Sequence, residues 1–503
     1  MINKRKNIFF LIILFFFLFI SNFFYYNYNF KNNNKNYKIK NNGYIFKKNI
    51  IKIKTNVMYI LINTKTGLIE NIKLKNYNNK SFILSDSLKK KLNYICEFND
   101  GVIKNDKIIK NINYNYKYNF PKFIKFKKKQ NKITIMIYNN KKNIIYNKYF
   151  TFYPNKYFID IKYNIYNISK KKVKISIFNN LKQNLKIIKN NNYYKKNFGI
   201  SYYTIKEKYN KFNFKNLLNN IKEEKNTKNG WIAITQKYFL TSIIPNNKID
   251  NIIYINNLKN KNINLGYFTK SYILSNNKYK KFETIIFIGP KIKDYMNFKF
   301  YNLNLVIDYG FLWFISKPLF VLLKSINFIF KNWGISIIII TLLLRFIIYP
   351  ITKIQYIYMI KMNILKPKIN SIYKNFYYNK NLLKEKIFNL YKKERINPLS
   401  SFLPLILQTP IFLSLYYMII NSAELNNTSF LWIKDLSSKD DFYILPLIMG
   451  ITILIMQKIS LYYIKDYQKK NILNIIPILF ILFFLWLPSG LVLYYIINNI
   501  ITI

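Results

Sequence analysis

One residue in this sequence carries a charge that its neighbours give no obvious means to support. Arg345 lies in Ile335-Ser-Ile-Ile-Ile-Ile-Thr-Leu-Leu-Leu-Arg-Phe-Ile-Ile-Tyr-Pro350, within the 19-residue run Gly334–Thr352, which holds no other charge. At about 1.5 Å per residue the run covers roughly 28 Å, the thickness of a bilayer's hydrocarbon core. A guanidinium does not lose its proton in a protein, so the charge has to be accommodated at depth. An unpaired Arg at the centre of a spanning helix costs about 2.5–3.5 kcal/mol to insert. Two accommodations are open: snorkelling toward the cytoplasmic surface, roughly 10 Å away along the helix, or a water-filled cavity open to one side. The other apolar runs of the C-terminal half contain no Asp or Glu, so an ion pair within the membrane is not expected. The strained reach of snorkelling favours the wet cavity.

Further polar groups suit the lining of such a cavity. Thr341 is one helical turn before Arg345 on the same face. Gln408 and Tyr495 lie inside other apolar runs. Each also has a plain structural reading, because Thr and Gln often bond across helices as interhelical glue. Pro404, Pro410, Pro446, Pro477 and Pro488 punctuate the runs as helix starts or kinks.

The elements that must position these residues follow from the apolar pattern. Lys4, Arg5 and Lys6 precede an apolar run from Ile8 to Ile20, continued by Phe23–Tyr26, with no small-residue cleavage site after it. Residues 1–26 are therefore expected to be a retained transmembrane anchor that starts in the cytoplasm. Residues 27–300 alternate short β-branched and aromatic stretches with Asn/Lys-rich turns, among them Val57–Ile62, Ile133–Tyr138, Phe158–Tyr166, Val173–Phe178, Trp231–Ile234 and Thr284–Ile288. In Tyr157–Ile165 the apolar residues Ile159, Ile161, Tyr163 and Ile165 recur at period two. A large antiparallel β-sandwich domain outside the inner membrane is expected, with a helix near Leu217–Lys225. Phe311–Phe330 is apolar but broken by Lys317-Pro318 and Lys324, which suits an amphipathic helix in the membrane interface, within 301–332.

Five spans then make up a helical core at 333–503: Gly334–Thr352, Leu403–Asn421, Tyr443–Ile459, Ile472–Trp486 and Ser489–Ile503. Counting the anchor as the first span makes these the second to the sixth. The loops between them are strongly basic at Lys353–Ser401, net acidic at Ser422–Phe442, basic at Lys458–Asn471 and uncharged at Leu487–Gly490. That alternation places the two basic loops in the cytoplasm. The first, 353–401, reads as a hairpin of two helices, about Ile354–Phe376 and Leu382–Arg395. Met359, Met362, Ile369, Ile372 and Phe376 form an apolar strip on its first helix, suited either to loose contacts with many partners or to packing of the hairpin on itself.

Composition excludes several functions. The chain has 81 Lys plus Arg against 20 Asp plus Glu, but Arg occurs only at 5, 345 and 395. Asn, Ile, Lys, Tyr and Phe, which share A/T-rich codons, crowd the whole chain, whereas a nucleic-acid groove would use Arg forks as well as Lys. No direct nucleic-acid function is expected. The absence of His and the single Cys96 exclude His-based acid–base chemistry, a His/Cys zinc site and an intramolecular disulfide.

The C-terminal 200 residues resemble the YidC/Oxa/Alb family. The resemblance is carried by Val306–Ser316, Asn332–Thr341, Arg345 with Tyr349-Pro350, Leu365–Ile369, Asn397-Pro-Leu399, Gln408-Thr-Pro-Ile-Phe412, Leu431–Leu436, Tyr443–Pro446 and Phe484–Tyr495. The external domain is similar to that of the family's Gram-negative members at Gly230-Trp-Ile-Ala233, Tyr238-Phe239 and Ile288-Gly-Pro290. The resemblance implies a β-supersandwich like those of sugar mutarotases, without a matching catalytic set. It further implies an insertase and chaperone for integral membrane proteins, not an enzyme, with no cofactor and no metal. Arg345 would be the charge of a hydrophilic intramembrane groove, Thr341 and Tyr495 its lining, with Gln408 added from its place in an apolar run, and Phe412 and Phe483 apolar contacts along which a substrate helix slides. Implied partners are nascent integral membrane proteins and the lipid bilayer, with the Sec translocon and the ribosome as further candidates. A small-solute transporter or channel is the alternative, disfavoured by the lack of inverted repeats. A tethered carbohydrate enzyme is a third reading, and the spacing of the domain's carboxylates shows no catalytic pair. Gly490–Ile503 spans only about 21 Å, and the basic tail of many family members does not follow it.

Overall fold

Alternation of β-branched and polar residues becomes sheet throughout the first half of the computed structural model. The structure describes residues 50–75, 77, 80–84, 96–108, 123–127, 130–141, 144–185, 197–217, 221–246, 248–258, 262–296, 302–394, 403–464 and 470–503. The expected anchor at 1–26 lies outside them. The described residues form two compact units, one ending at Ile307 and one beginning at Asp308.

The first unit holds three sheets. A five-stranded sheet has the order Lys80–Leu84, Ile69–Leu74, Met58–Asn63, Ile50–Lys54, Phe123–Lys125, with only the last pair parallel. An antiparallel eight-stranded sheet runs Lys208–Asn213, Gly199–Thr204, Gly230–Thr235, Phe239–Pro245, Tyr279–Pro290, Phe158–Asn167, Ile144–Phe152, Ile133–Lys141. A seven-stranded sheet runs Lys222–Thr227, Asn251–Leu258, Asn262–Thr269, Val173–Asn184, Cys96–Lys104, Lys107–Ile108, with Tyr272–Leu274 also paired to Val173–Asn184. The expected period-two strand is central in the second sheet, with Ile159, Ile161, Tyr163 and Ile165 all buried. The helix expected near Leu217–Lys225 is a single turn, Phe214–Leu217, and Lys222–Thr227 is an edge strand paired to Asn251–Leu258. Its run of Lys, Glu and Asn carries little strand propensity, and the ladder of its neighbour decides its conformation.

The eight- and seven-stranded sheets are joined by a buried polar network. Lys148 Nζ lies 2.5 Å from Asp100 Oδ2, with both side chains at 1–2% exposure. Lys148 also donates to the Gly67 carbonyl at 2.6 Å, and Tyr163 OH donates to Asp100 Oδ2 at 2.5 Å and to Asn179 Oδ1 at 2.9 Å. Asn179 Nδ2 donates in turn to Tyr267 OH and to Thr284 Oγ1. Cys96 is buried on the Asp100 strand, where burial, with Glu97 beside it, pushes the thiol up. That agrees with a thiol of no chemical role.

The second unit is helical, and its long helices are α1 (Trp313–Phe330), α2 (Trp333–Asn375), α3 (Lys380–Lys393), α4 (Leu403–Asn421), α5 (Ile444–Ile464), α6 (Lys470–Phe484) and α7 (Ser489–Thr502). The second span and the first hairpin helix are one continuous helix of 43 residues, not two. Pro350 and Pro367 lie within it and do not end it, and no glycine marks a boundary near 353. The hairpin packs on itself: Leu383, Ile387 and Tyr391 of α3 are buried against Met362, Ile369 and Ile372 of α2 and Phe376 just after it. Among the described residues, two helices are long and apolar enough to cross a membrane, Trp313–Phe330 and Trp333–Ile354. The first is the segment expected in the interface. It buries Ser316, Phe320, Leu323 and Ile326 on one stripe and exposes Phe314, Val321 and Phe328 elsewhere. The expected count of five core spans is not reproduced: of the five, only the first meets that length and apolarity among the described residues, and α6 and α7 have 15 and 14 residues, about 21–23 Å each.

Candidate functional site

The depth of Arg345 is set from one end of the bundle. Asn332 caps α2, its side chain accepting from Gly334 N at 2.9 Å and Ile335 N at 3.2 Å. Such a cap satisfies donors that the first turn cannot pair internally. A Cβ on Gly334 would run into the Phe430 ring of the acidic loop. The same loop anchors α7: Ser489 N donates to the Ser438 carbonyl at 2.7 Å, and Gly490 N to the Leu436 carbonyl at 3.0 Å. The two helices thus start level and pack side by side, with Leu491 and Val492 of α7 in one core with Ile337 and Ile340 of α2. Eleven residues separate Gly334 from Arg345 and twelve separate Gly490 from Thr502, so at about 1.5 Å per residue the arginine is level with the last turn of α7.

There the half-buried guanidinium finds its acceptors. Arg345 Nη2 donates to the Asn498 carbonyl at 3.1 Å and to Thr502 Oγ1. Thr502 Oγ1 also donates to the Asn498 carbonyl at 2.6 Å. A backbone carbonyl and a threonine hydroxyl both offer lone pairs to a guanidinium, which can only donate. Snorkelling, a cavity and an ion pair left out this fourth accommodation, uncharged acceptors on a neighbouring helix. Asn498 and Thr502, four apart on α7, were the signal for it in the sequence. One residue round the helix, Asn499 Nδ2 donates to Thr452 Oγ1 of α5 at 3.1 Å and to Met449 Sδ at 3.4 Å.

The other expected site residues divide. Thr341 is fully buried and donates its hydroxyl to the Ile337 carbonyl at 2.6 Å. It lines no exposed surface, because the face it shares with Arg345 is covered by packing one turn deeper. Gln408 is half-buried on α4. Phe412 and Tyr495 are brought together edge to face at 5.3 Å, and Tyr495 meets Phe484 at 5.1 Å. Phe480 stacks on Phe484 and Tyr416 on Phe412, so one seam of rings joins α6 through α7 to α4. Phe483 is buried at 7% exposure and packs edge-on against Phe484. It cannot be an outward slide contact, since the outward face of α6 is Ile478, Leu479 and Leu482.

Similarity to known proteins accords with this division. The model of the 60 kDa inner membrane protein family matches residues 325–503, and that of the YidC periplasmic domain matches residues 50–322. The membrane protein insertase YidC of Buchnera aphidicola subsp. Acyrthosiphon pisum (strain APS) is 44% identical over 372 residues, covering 72% of this chain and 70% of the relative. That of Wigglesworthia glossinidia brevipalpis is 42% identical over 460 residues, covering 88% and 84%. Among solved structures, an active YidC insertase aligns over 91% of this chain and 92% of its own at 18% identity, with a TM-score of 0.40. A galactose mutarotase related enzyme from Lactobacillus acidophilus aligns over 48% of this chain and 97% of its own at 10% identity, with a TM-score of 0.34.

Proposed function

The chain belongs to the YidC/Oxa/Alb family of membrane protein insertases, and from that premise we propose how its residues perform insertion. The family assignment removes the solute-transporter alternative. In our reading a single anchor at 1–26 starts in the cytoplasm, the β domain is periplasmic, α1 lies in the interface, and α2, α4, α5, α6 and α7 cross the inner membrane. The alternating charge of the connecting loops supports that topology. The short α6 is accommodated by local thinning of the bilayer.

The polar external segment of a substrate enters a hydrophilic groove and meets Arg345, while its apolar helix slides out between α4 and α6. The observation that carries this reading is a permanent, half-buried charge near the middle of the apolar run 334–352, held by neutral acceptors on α7. A carboxylate on the substrate is a stronger acceptor for that charge than a hydroxyl or a carbonyl. The ring seam from Phe480 to Tyr416 supports the slide, because its rings join the two helices between which the substrate leaves. The aqueous groove shortens the path over which polar backbone crosses hydrocarbon.

The β domain we read as non-enzymatic. Glu207, held below the usual carboxylate range by hydrogen bonds from Lys225 and Tyr202, is engaged by both, and Glu283 pairs with Lys162 at 2.9 Å. The exposed Lys380, Lys384, Lys386, Lys392 and Lys393 of α3 support electrostatic contact of the hairpin with a ribosome, and the Sec translocon remains a proposed partner.

The test is insertion into proteoliposomes of a single-span substrate with an acidic or a neutral translocated tail. Arg345→Ala should slow the acidic-tailed substrate about tenfold or more, the weight of one charge-assisted hydrogen bond, and the neutral one less. Arg345→Lys should keep much of the activity, since a point charge still attracts the tail. Equal loss for both tails would make Arg345 a structural residue.

A further inference from the structure

We propose that Thr502 and the backbone carbonyl of Asn498 form a resting berth for the Arg345 guanidinium, which an arriving substrate segment must vacate. The proposal rests on the insertase reading above and adds a specificity determinant to it. Both acceptors of the berth are neutral. An incoming carboxylate forms the stronger charge-assisted bond and displaces them readily, whereas a neutral segment exchanges one neutral acceptor for another with little gain. The berth therefore taxes neutral tails more visibly than acidic ones, whose binding is tight enough to tolerate a reduced fraction of available Arg345.

Three contacts show that the berth is built. Residues 498 and 502 are one turn apart on one face of α7, and the Thr502 hydroxyl donates to the Asn498 carbonyl at 2.6 Å, which turns its lone pairs toward Arg345. On the neighbouring face, Asn499 Nδ2 is bound to Thr452 Oγ1 at 3.1 Å. Thr452 donates its own proton to the Met449 carbonyl at 2.8 Å, so its oxygen is oriented to accept. The Asn499–Thr452 bond sets the rotation of α7's last turn on α5, and that rotation aims the berth at α2. Thr452 and Asn499 are positioning residues, and Thr502 is the one that touches the charge.

The experiment uses the full chain in proteoliposomes and a single-span probe with a neutral, asparagine-bearing translocated tail, scored by protease protection over a range of probe concentrations. Thr502→Val removes the hydroxyl, and the half-saturating probe concentration should fall about tenfold, the equilibrium weight of one hydrogen bond. Thr502→Ser should restore the wild-type value. In an Arg345→Ala background, Thr502→Val should change nothing. If the valine variant fails to fold, Thr502→Ala makes the same test with a smaller side chain. An unchanged or raised half-saturation, or the same shift without Arg345, would overturn the berth. If Arg345→Ala alone leaves acidic-tailed insertion intact, the groove reading fails. If it impairs insertion while the Thr502 variants are inert, only the berth fails.

Discussion

Replacing Asp100 with asparagine should open the β domain by a measurable amount, and the sole cysteine of the chain is placed to report it. Asp100 and Lys148 are 2.5 Å apart and at most 2% exposed. Lys148 spends its donors on Asp100 and on the Gly67 carbonyl, and its ammonium sits 4.5 Å from the Phe150 ring centroid. The asparagine keeps the shape and can still accept from Tyr163, but it leaves the ammonium buried with no counter-charge. Breaking one side of such a pair costs about 3–5 kcal/mol, against a typical domain stability of about 5–15 kcal/mol. Cys96 is 1% exposed on the same strand as Asp100, so a maleimide reaches it only through opening of that sheet. At about 1.36 kcal/mol per decade, its labelling in the full-length protein should accelerate about 10²- to 10⁴-fold. Asp100→Leu combined with Lys148→Met should return the rate close to wild type, because an apolar pair of similar volume carries no desolvation cost. A threefold change or less in Asp100→Asn would refute the argument, as would a double variant as labile as the single one.

Four further outcomes follow from individual contacts. Desolvation holds Lys148 below the ordinary lysine value of 10.5, so the folded domain releases a proton that the unfolded chain keeps. Between the lowered value and 10.5, stability relative to Lys148→Met should rise with pH; a flat difference in urea unfolding would contradict this. Thr341→Cys should stay unlabelled by an impermeant thiol reagent and Gln408→Cys should react, since position 341 is fully buried and position 408 is half-exposed; equal reactivity would restore Thr341 as groove lining. A Cβ at Gly450 would collide with Ile481 where α5 meets α6, so Gly450→Leu should lose about 1–3 kcal/mol, read as a lowered unfolding midpoint in detergent. Deleting residues 60–290 should leave insertion measurable, because every residue assigned to groove and slide belongs to the unit from Asp308 onward; total loss in a stably expressed deletion would refute that division.

The β domain was legible where burial is one-sided. Ile159, Ile161 and Ile165 alternate with polar neighbours because one face of their strand meets the opposite sheet, and periodicity finds such strands. It passes over strands such as Cys96–Lys104, whose Glu97, Asn99, Asp100 and Gly101 look like a turn. Asp100 is tolerated there only because Lys148 and Tyr163 arrive from the facing sheet, 48 and 63 residues later. Pairing between distant strands leaves no local pattern. The A/T-driven excess of Lys and Asn compounds this by placing polar residues where a less biased chain would carry alternating Thr and Val.

At the site, residue type was legible and direction was not. Arg345 stands out in any apolar run, and its type alone required accommodation at depth. What accommodates it depends on which residues of a second helix lie level with it: Asn498 and Thr502 look like incidental polar residues until the two helices are set level by the loop at 422–442. The same limit explains Thr341 and Phe483. Thr341 was assigned by its face and by family resemblance, and Phe483 by resemblance alone, yet a helix turns about 100° per residue, so one step in sequence separates the outward Leu482 from the buried Phe483. Thr341 shares a face with Arg345, and even so one turn of depth takes it from partial exposure into the packed core around Ile337 and Ile340. Depth along a face is fixed by what packs above it, and here that is the level start of α7 against α2.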